Sequence, residues 1–93
     1  MIKSFRDKDT ERIWNREPAK RLSPELQRIA LRKLVAVDGA EALRDLRIPV
    51  GNRLEKLSGS RHGQMSIRTN DQWLICFIWK DGDAHDVEIV DYH

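Results

Sequence analysis

The chain has 93 residues, 40% hydrophobic and 34% charged, with a formal net charge of +2. A single domain of this size buries only about 60–65% of its unfolded surface, so an open cleft is expected rather than a deep enclosed pocket. One cysteine, Cys76, rules out an internal disulfide, and no run resembles a signal peptide or a membrane span, which points to a reducing, cytoplasmic setting.

The charge is unevenly spread. Residues 1–63 carry 15 Lys/Arg against 9 Asp/Glu, giving +6, and residues 64–93 carry 2 against 6, giving −4. A basic N-terminal two-thirds suits a polyanionic partner, because neutralising phosphates releases counterions. Ile2 to Phe5 alternates apolar and polar residues and predicts a short first strand. Asp9 to Arg16 predicts a short helix capped by Asp9 or Thr10, ending before Pro18. Ser23-Pro24-Glu25 opens the clearest helix, with a capping hydroxyl, proline at the first helical position and an early acid. Its apolar stripe is Leu26, Ile29, Ala30, Leu34 and Val37, and Gly39 ends it. Arg28 and Arg32 lie roughly opposite that stripe, with Lys20, Arg21 and Lys33 nearby. A short helical piece is expected from Glu41 to Asp45, then a loop through Arg47-Ile48-Pro49-Val50-Gly51-Asn52.

The remainder reads as antiparallel sheet. Arg53 to Leu57 is a candidate strand, followed by a cation-rich turn from Gly59 to Gly63. Met65, Ile67 and Thr69 alternate with Ser66 and Arg68 as in a half-buried strand. Trp73, Ile75, Phe77 and Trp79 define one face of the next strand, and Leu74, Cys76 and Ile78 the other. Apolar residues on both faces mark it as central. Lys80-Asp81-Gly82-Asp83 is a hairpin turn, and the last strand runs from Asp86 to the end. Helices first and strands afterwards indicate an α+β domain, with the N-terminal strand and helices on one face of the sheet and the other face left for function.

On that free face, Arg68 points away from Met65 and Ile67 and can hold a phosphate. Arg53, Glu55, Lys56 and Arg61 flank it. The final strand delivers Asp91-Tyr92-His93, a carboxylate, a phenol and an imidazole suited to proton transfer, although a chain end is ordinarily frayed. With His93 last, its α-carboxylate beside the ring favours the protonated imidazole. His62, His85 and His93 show no metal-ligand spacing, and there is no nucleophile elbow or phosphate-binding glycine loop, so neither metal nor cofactor is expected. The tryptophans fall at core positions, which disfavours a general RNA-binding module built on exposed aromatics.

Pro49-x-Gly51-Asn52-Arg53-Leu54-Glu55-x-Leu57-x-Gly59, Gly63-Gln64-x-Ser66-Ile67-Arg68, Asn70-Asp71-Gln72-Trp73 and Val87-Glu88-Ile89-Val90-Asp91-Tyr92-His93, with the opening Met1 to Phe5, resemble the HigB-type toxins of the RelE superfamily across essentially the whole chain. The resemblance implies a single compact microbial-RNase-like domain over 1–93. It also implies metal-independent cleavage of mRNA in the A site of the small ribosomal subunit, leaving a 2′,3′-cyclic phosphate and a 5′-hydroxyl. A helix-turn-helix antitoxin would neutralise the toxin, and the complex would bind operator DNA. Asp91, Tyr92 and His93 inherit the catalytic terminus, Glu55 stands where some relatives place a catalytic histidine, and Arg68 lies in the strand that supplies a phosphate-binding cation. Lys20, Arg21, Arg28, Arg32, Lys33, Arg53, Lys56 and Arg61 become the candidate RNA and ribosome contacts. One position departs from the pattern: the family reads Gln-Trp-Arg where this chain has Gln72-Trp73-Leu74. The alternative is therefore a weakened toxin that binds ribosome or antitoxin without cutting.

Overall fold

The carboxylate of Asp7 starts the first helix, Oδ2 accepting the Thr10 N–H at 3.3 Å and Oδ1 the Thr10 hydroxyl at 2.6 Å. That helix, α1 (Lys8–Trp14), begins the regular elements of a computed structural model that describes residues 1–91. Its cap is thus Asp7, not Asp9 or Thr10, because the Thr10 side chain is buried and occupied. It ends at Trp14, with Arg16 in the left-handed region (φ 60°), before Pro18 is reached.

Helix α2 (Pro24–Gly39) is capped by Ser23, whose Oγ accepts the Leu26 N–H at 3.2 Å. Leu26, Ala30, Leu34 and Val37 are buried, whereas Ile29 is only half-buried at the edge of the stripe. The helical piece expected at Glu41 to Asp45 is a 3₁₀ turn over Leu43–Arg47, and the following loop contains another over Val50–Asn52.

Four antiparallel strands follow in simple meander order: β1 (Glu55–Lys56), β2 (Met65–Arg68), β3 (Trp73–Lys80) and β4 (Asp83–Asp91). The candidate strand at 53–57 shrinks to two residues because Arg53 adopts φ 45° and turns the chain just before it. A 3₁₀ turn, Gly59–Arg61, occupies the cation-rich connection. Asp81 (φ 54°) and Gly82 (φ 79°) form the two-residue turn between β3 and β4, the geometry that suits the twist of a hairpin. Ile67 from β2, Ile75 and Phe77 from β3, and Val87 and Ile89 from β4 meet Leu26, Leu34 and Val37 of α2 in one core. The helices therefore cover one sheet face, as the element order predicts.

The last strand begins at Asp83 rather than Asp86. Cys76 pairs with Glu88 but Ile78 pairs with His85, so β4 carries one extra residue there, and Asp86 takes φ 51°. This bulge resets the alternation, so Ala84 and Val87, three residues apart, are both buried. It also shapes the N-terminal pairing. Residues 2–5 form no full strand but two parallel bridges to β4, Ile2 to Ala84 and Phe5 to Val87. Between them the Ser4 hydroxyl accepts the Asp86 N–H at 2.8 Å. The Ile2 N–H donates to Asp38 of α2 at 2.9 Å, tying this edge to the helix layer.

Candidate active site

On the face away from the helices, strand alternation and register set two rows of side chains. Arg68, Leu74 and Val90 are cross-strand partners, and with strands about 4.8 Å apart they make a row about 10 Å wide. Glu55, Ser66, Cys76 and Glu88 make the next row. These rows floor an open cavity of about 390 Å³, lined by Arg53, Glu55, Leu57, Arg61, Ser66, Arg68, Leu74, Cys76, Val90 and Asp91, a size suited to a small-ligand site. Of the residues singled out in the sequence, Arg53, Glu55, Arg61, Arg68, Leu74 and Asp91 thus come together around one space. Tyr92 and His93 lie outside the described residues.

The β2–β3 turn holds two walls of the cavity. Arg68 donates from Nε to the Asn70 carbonyl at 3.1 Å and pairs through Nη2 with Asp71. Asn70 Oδ1 accepts the N–H groups of Gln72 and Trp73, both at 2.9 Å, which fixes the turn. Gln72 Nε2 then donates to Asp91 Oδ2 at 2.9 Å. On a third wall, Arg61 Nη1 donates to Glu88 Oε1 at 2.6 Å and to Gln64 Oε1 at 3.1 Å. The bond to Glu88 holds the Arg61 guanidinium above its ordinary pKa, so it stays charged. Arg53 reaches the cavity from its left-handed backbone, and no hydrogen bond or ion pair engages its side chain among the described residues.

The remaining cations sit elsewhere. Lys56 alternates to the side opposite Glu55 and faces Leu43, Arg44, Arg47, Leu54 and Met65. Lys20, Arg28 and Arg32 are exposed in the helix layer. Lys33 donates to Asn52 Oδ1. Arg21 is a strap: Nε lies 3.1 Å from Asp9, Nη2 lies 3.5 Å from Asp7 and 3.3 Å from the Ile89 carbonyl, and its guanidinium stacks 5.4 Å from the Trp73 ring centroid. The Ile89 N–H donates to Thr10 Oγ1 at 3.0 Å, so both backbone groups of that residue are held by the helix layer. Ile89 lies two residues before Asp91, so these bonds fix β4 just before it reaches the cavity. Arg21→Ala is expected to lower stability by about 1–2 kcal/mol, the sum of a partly exposed cation–π contact and weak ion pairs. Urea unfolding would read this, and an unchanged midpoint would return Arg21 to the group of free surface cations.

The same arrangement of motifs is found in known proteins. A family model described as the RelE-like toxin of type II toxin–antitoxin system HigB matches residues 3–93. The chain belongs to this HigB-like toxin family. It is 42% identical over 85 residues to Toxin HigB-1 of Vibrio cholerae serotype O1, covering 90% of each chain. It is 32% identical over 94 residues to Endoribonuclease HigB of Proteus vulgaris, covering all of both chains. As a type II toxin it has a protein antitoxin as partner.

Several residues in or beside this HigB-like toxin's cavity escape a reading of residue type alone. Gln72 looks like turn filler until its amide is seen on Asp91. Glu88 reads as a strand carboxylate, and only the turn at Gly59–Arg61 brings a guanidinium to it. Cys76 is fully buried yet sits under the cavity rather than in the helix-side core; the alternation of β3, which puts it beside Leu74, already carried that signal. Burial pushes its thiol from the ordinary 9.0 up to about 11. An unfolded chain therefore releases this proton first as pH rises, so stability is full below the unfolded pKa and declines as pH climbs toward the folded one. Between these two values, the native chain should lose on the order of 1–3 kcal/mol that Cys76→Ala does not lose. Equal slopes for the two proteins in alkaline urea titrations would overturn the assignment.

Proposed function

We propose that this toxin is a ribosome-dependent endoribonuclease that cleaves mRNA in the A site and so halts translation. The observation that carries the reading is the gathering of Arg53, Arg61, Arg68, Glu55 and Asp91 around one open cavity, with Asp91 on the strand that precedes Tyr92 and His93 in the sequence. A relative named Endoribonuclease HigB, matched along its whole length, supports the reaction class.

The chemistry needs no external nucleophile. The RNA 2′-OH gives its proton to a base, the O2′–P bond forms, the P–O5′ bond breaks, and the departing 5′-oxygen takes a proton from an acid. Cations neutralise the phosphorane between the two steps. Glu55, exposed at the rim, is the base in this scheme, and protonated His93 is the acid. Tyr92 contacts the transition state and Asp91 orients its neighbours. Arg68 exchanges Asp71 for the phosphate, with Arg53 as second donor. The scheme calls on no metal. The setting is the cytoplasm, where ribosomes and antitoxin are met; no helix among the described residues is long and apolar enough to cross a membrane. Operator DNA is reached through the antitoxin complex.

A purified translation mixture tests this directly. Cleavage of mRNA with ribosomes present and its loss without them is the expected result, and equal cutting of free mRNA would refute ribosome dependence. Arg28 and Arg32, exposed on α2, are the ribosomal RNA contacts in this scheme. Reversing both to glutamate should weaken ribosome association and flatten its salt dependence while the fold persists.

One observation favours a second reading, a toxin that binds but cuts poorly. Leu74 lies in the middle of the cavity floor, between Arg68 and Val90, where an apolar side chain gives a phosphate nothing.

A further inference from the structure

Two of the most exposed large apolar residues of the chain stand next to each other at one loop tip. Ile48 is 79% exposed and Val50 87%, with Pro49 between them also exposed. Isolated surface aliphatics need no explanation, but a clustered apolar tip does. This tip is held firmly. Asn52, entirely buried, donates from Nδ2 to the carbonyls of Leu46 at 3.1 Å and Ile48 at 3.3 Å, and its Oδ1 accepts from Lys33 Nζ. The N–H groups of Asn52 and Arg53 close back on the Pro49 and Val50 carbonyls at 2.9 and 3.1 Å. A buried, fully bonded amide therefore braces a loop whose own side chains stabilise nothing in the core.

At the base of the loop lies a groove of about 320 Å³, floored by Leu43, Leu54 and Met65 and rimmed by Arg44, Arg47 and Lys56. None of these three cations is in an ion pair among the described residues. The nearby Asp45 carboxylate is turned onto the Glu41 and Ala42 N–H groups at 3.0 Å each. The groove lies on the opposite side of β1 from the catalytic cavity, because Lys56 and Glu55 alternate.

We infer that this knob and groove are the docking surface for an acidic polypeptide segment bearing aliphatic anchors, and that the antitoxin supplies it. Aliphatic side chains recognise no phosphate, so the tip is built for protein rather than RNA. A second copy of the chain is disfavoured, since a two-fold contact would set Arg44, Arg47 and Lys56 against their own equivalents. A lipid surface could take the protruding tip but has no fixed side chain for the hollow beside it. A peptide with alternating carboxylates and aliphatics satisfies both, with the rim cations steering its approach and the apolar floor supplying affinity. The inference rests on family membership, which brings an antitoxin, and not on the RNA-cleavage reading.

The test is calorimetric binding of purified cognate antitoxin to the full-length toxin and to two variants, Ile48→Ser/Val50→Ser and Arg44→Glu/Arg47→Glu. Each variant should weaken binding at least tenfold, with thermal midpoint unchanged and mRNA cleavage in the translation mixture unchanged. Wild-type affinity in both variants overturns the proposal. So does a loss of ribosome association, or of binding to vesicles containing anionic phospholipid, with antitoxin affinity intact. Because affinity is measured without catalysis, an inactive wild-type protein would count against the proposed reaction and leave this result readable.

Discussion

Leu74→Arg is expected to raise the mRNA cleavage rate by roughly 10²–10³-fold, the typical effect of one well-placed donor to a developing oxyanion. The position is favourable for such a gain. Leu74 is half-buried on the floor of the cavity, directly across from Arg68 on one side and Val90 on the other, so a longer cationic side chain would extend into the space where a phosphate would sit. Arg68 would not repel it strongly, because Asp71 already accompanies that guanidinium. Steady-state cleavage in the ribosome-containing mixture, with growth arrest on induction as a second reading, decides the matter. Equal activity of the two chains would mean that Arg53 and Arg68 already supply all the charge the phosphorane needs, and it would end the case for a weakened toxin.

His93→Gln should lower cleavage by about 10²–10⁴-fold, the range associated with a general acid or base. Glutamine keeps the polarity and much of the bulk of the side chain but cannot deliver a proton at neutral pH. Association with ribosomes and with the antitoxin should stay close to normal, since those contacts are assigned to the exposed cations of α2 and to the Ile48–Val50 tip. A variant that cuts as fast as the native chain would transfer the proton to another group and leave Glu55 and Asp91 to be tried next.

How legible these features were differs by residue, for physical reasons. The start of α2 was readable because a capping hydroxyl, a proline and an acid occupy consecutive positions, and each acts locally. The central place of β3 was readable because both of its faces are apolar. The face carrying Arg68 followed from simple alternation. The bulge at Asp86 was hidden because the extra residue exists only relative to a partner strand, so the final strand was expected to begin three residues late. The Asp7 cap was hidden because three possible caps, Asp7, Asp9 and Thr10, crowd one another. The burial of Thr10 against Ile89, 79 residues away, and the pairing of Asp9 with Arg12 and Arg21 leave Asp7 as the cap. Arg21 looked like part of a cationic stripe because sequence shows the charge of a side chain but not the distant carbonyl it caps. Glu55 and Lys56 looked like neighbours in one site, and a two-residue strand sends them to opposite faces.

The ion pairs around the candidate cavity have a consequence for how a substrate would arrive. Three guanidiniums, Arg53, Arg61 and Arg68, face Glu55 and Asp91 on the lining, with Glu88 and Asp71 bound to two of them. Among the described residues, four carboxylates therefore stand against these three guanidiniums, and Glu88 is shared with Arg6 at 3.9 Å, so the lining holds no large excess of positive charge. A lining so balanced adds little to long-range capture of a polyanion, which needs an unbalanced charge. It can grip a phosphate only at contact, once Asp71, whose side chain is 99% exposed, has swung off Arg68. On the proposed reaction, capture and cutting are then separate offices: delivering the RNA to the threshold of the cavity falls to other surfaces, and a strand drifting freely past would meet little pull.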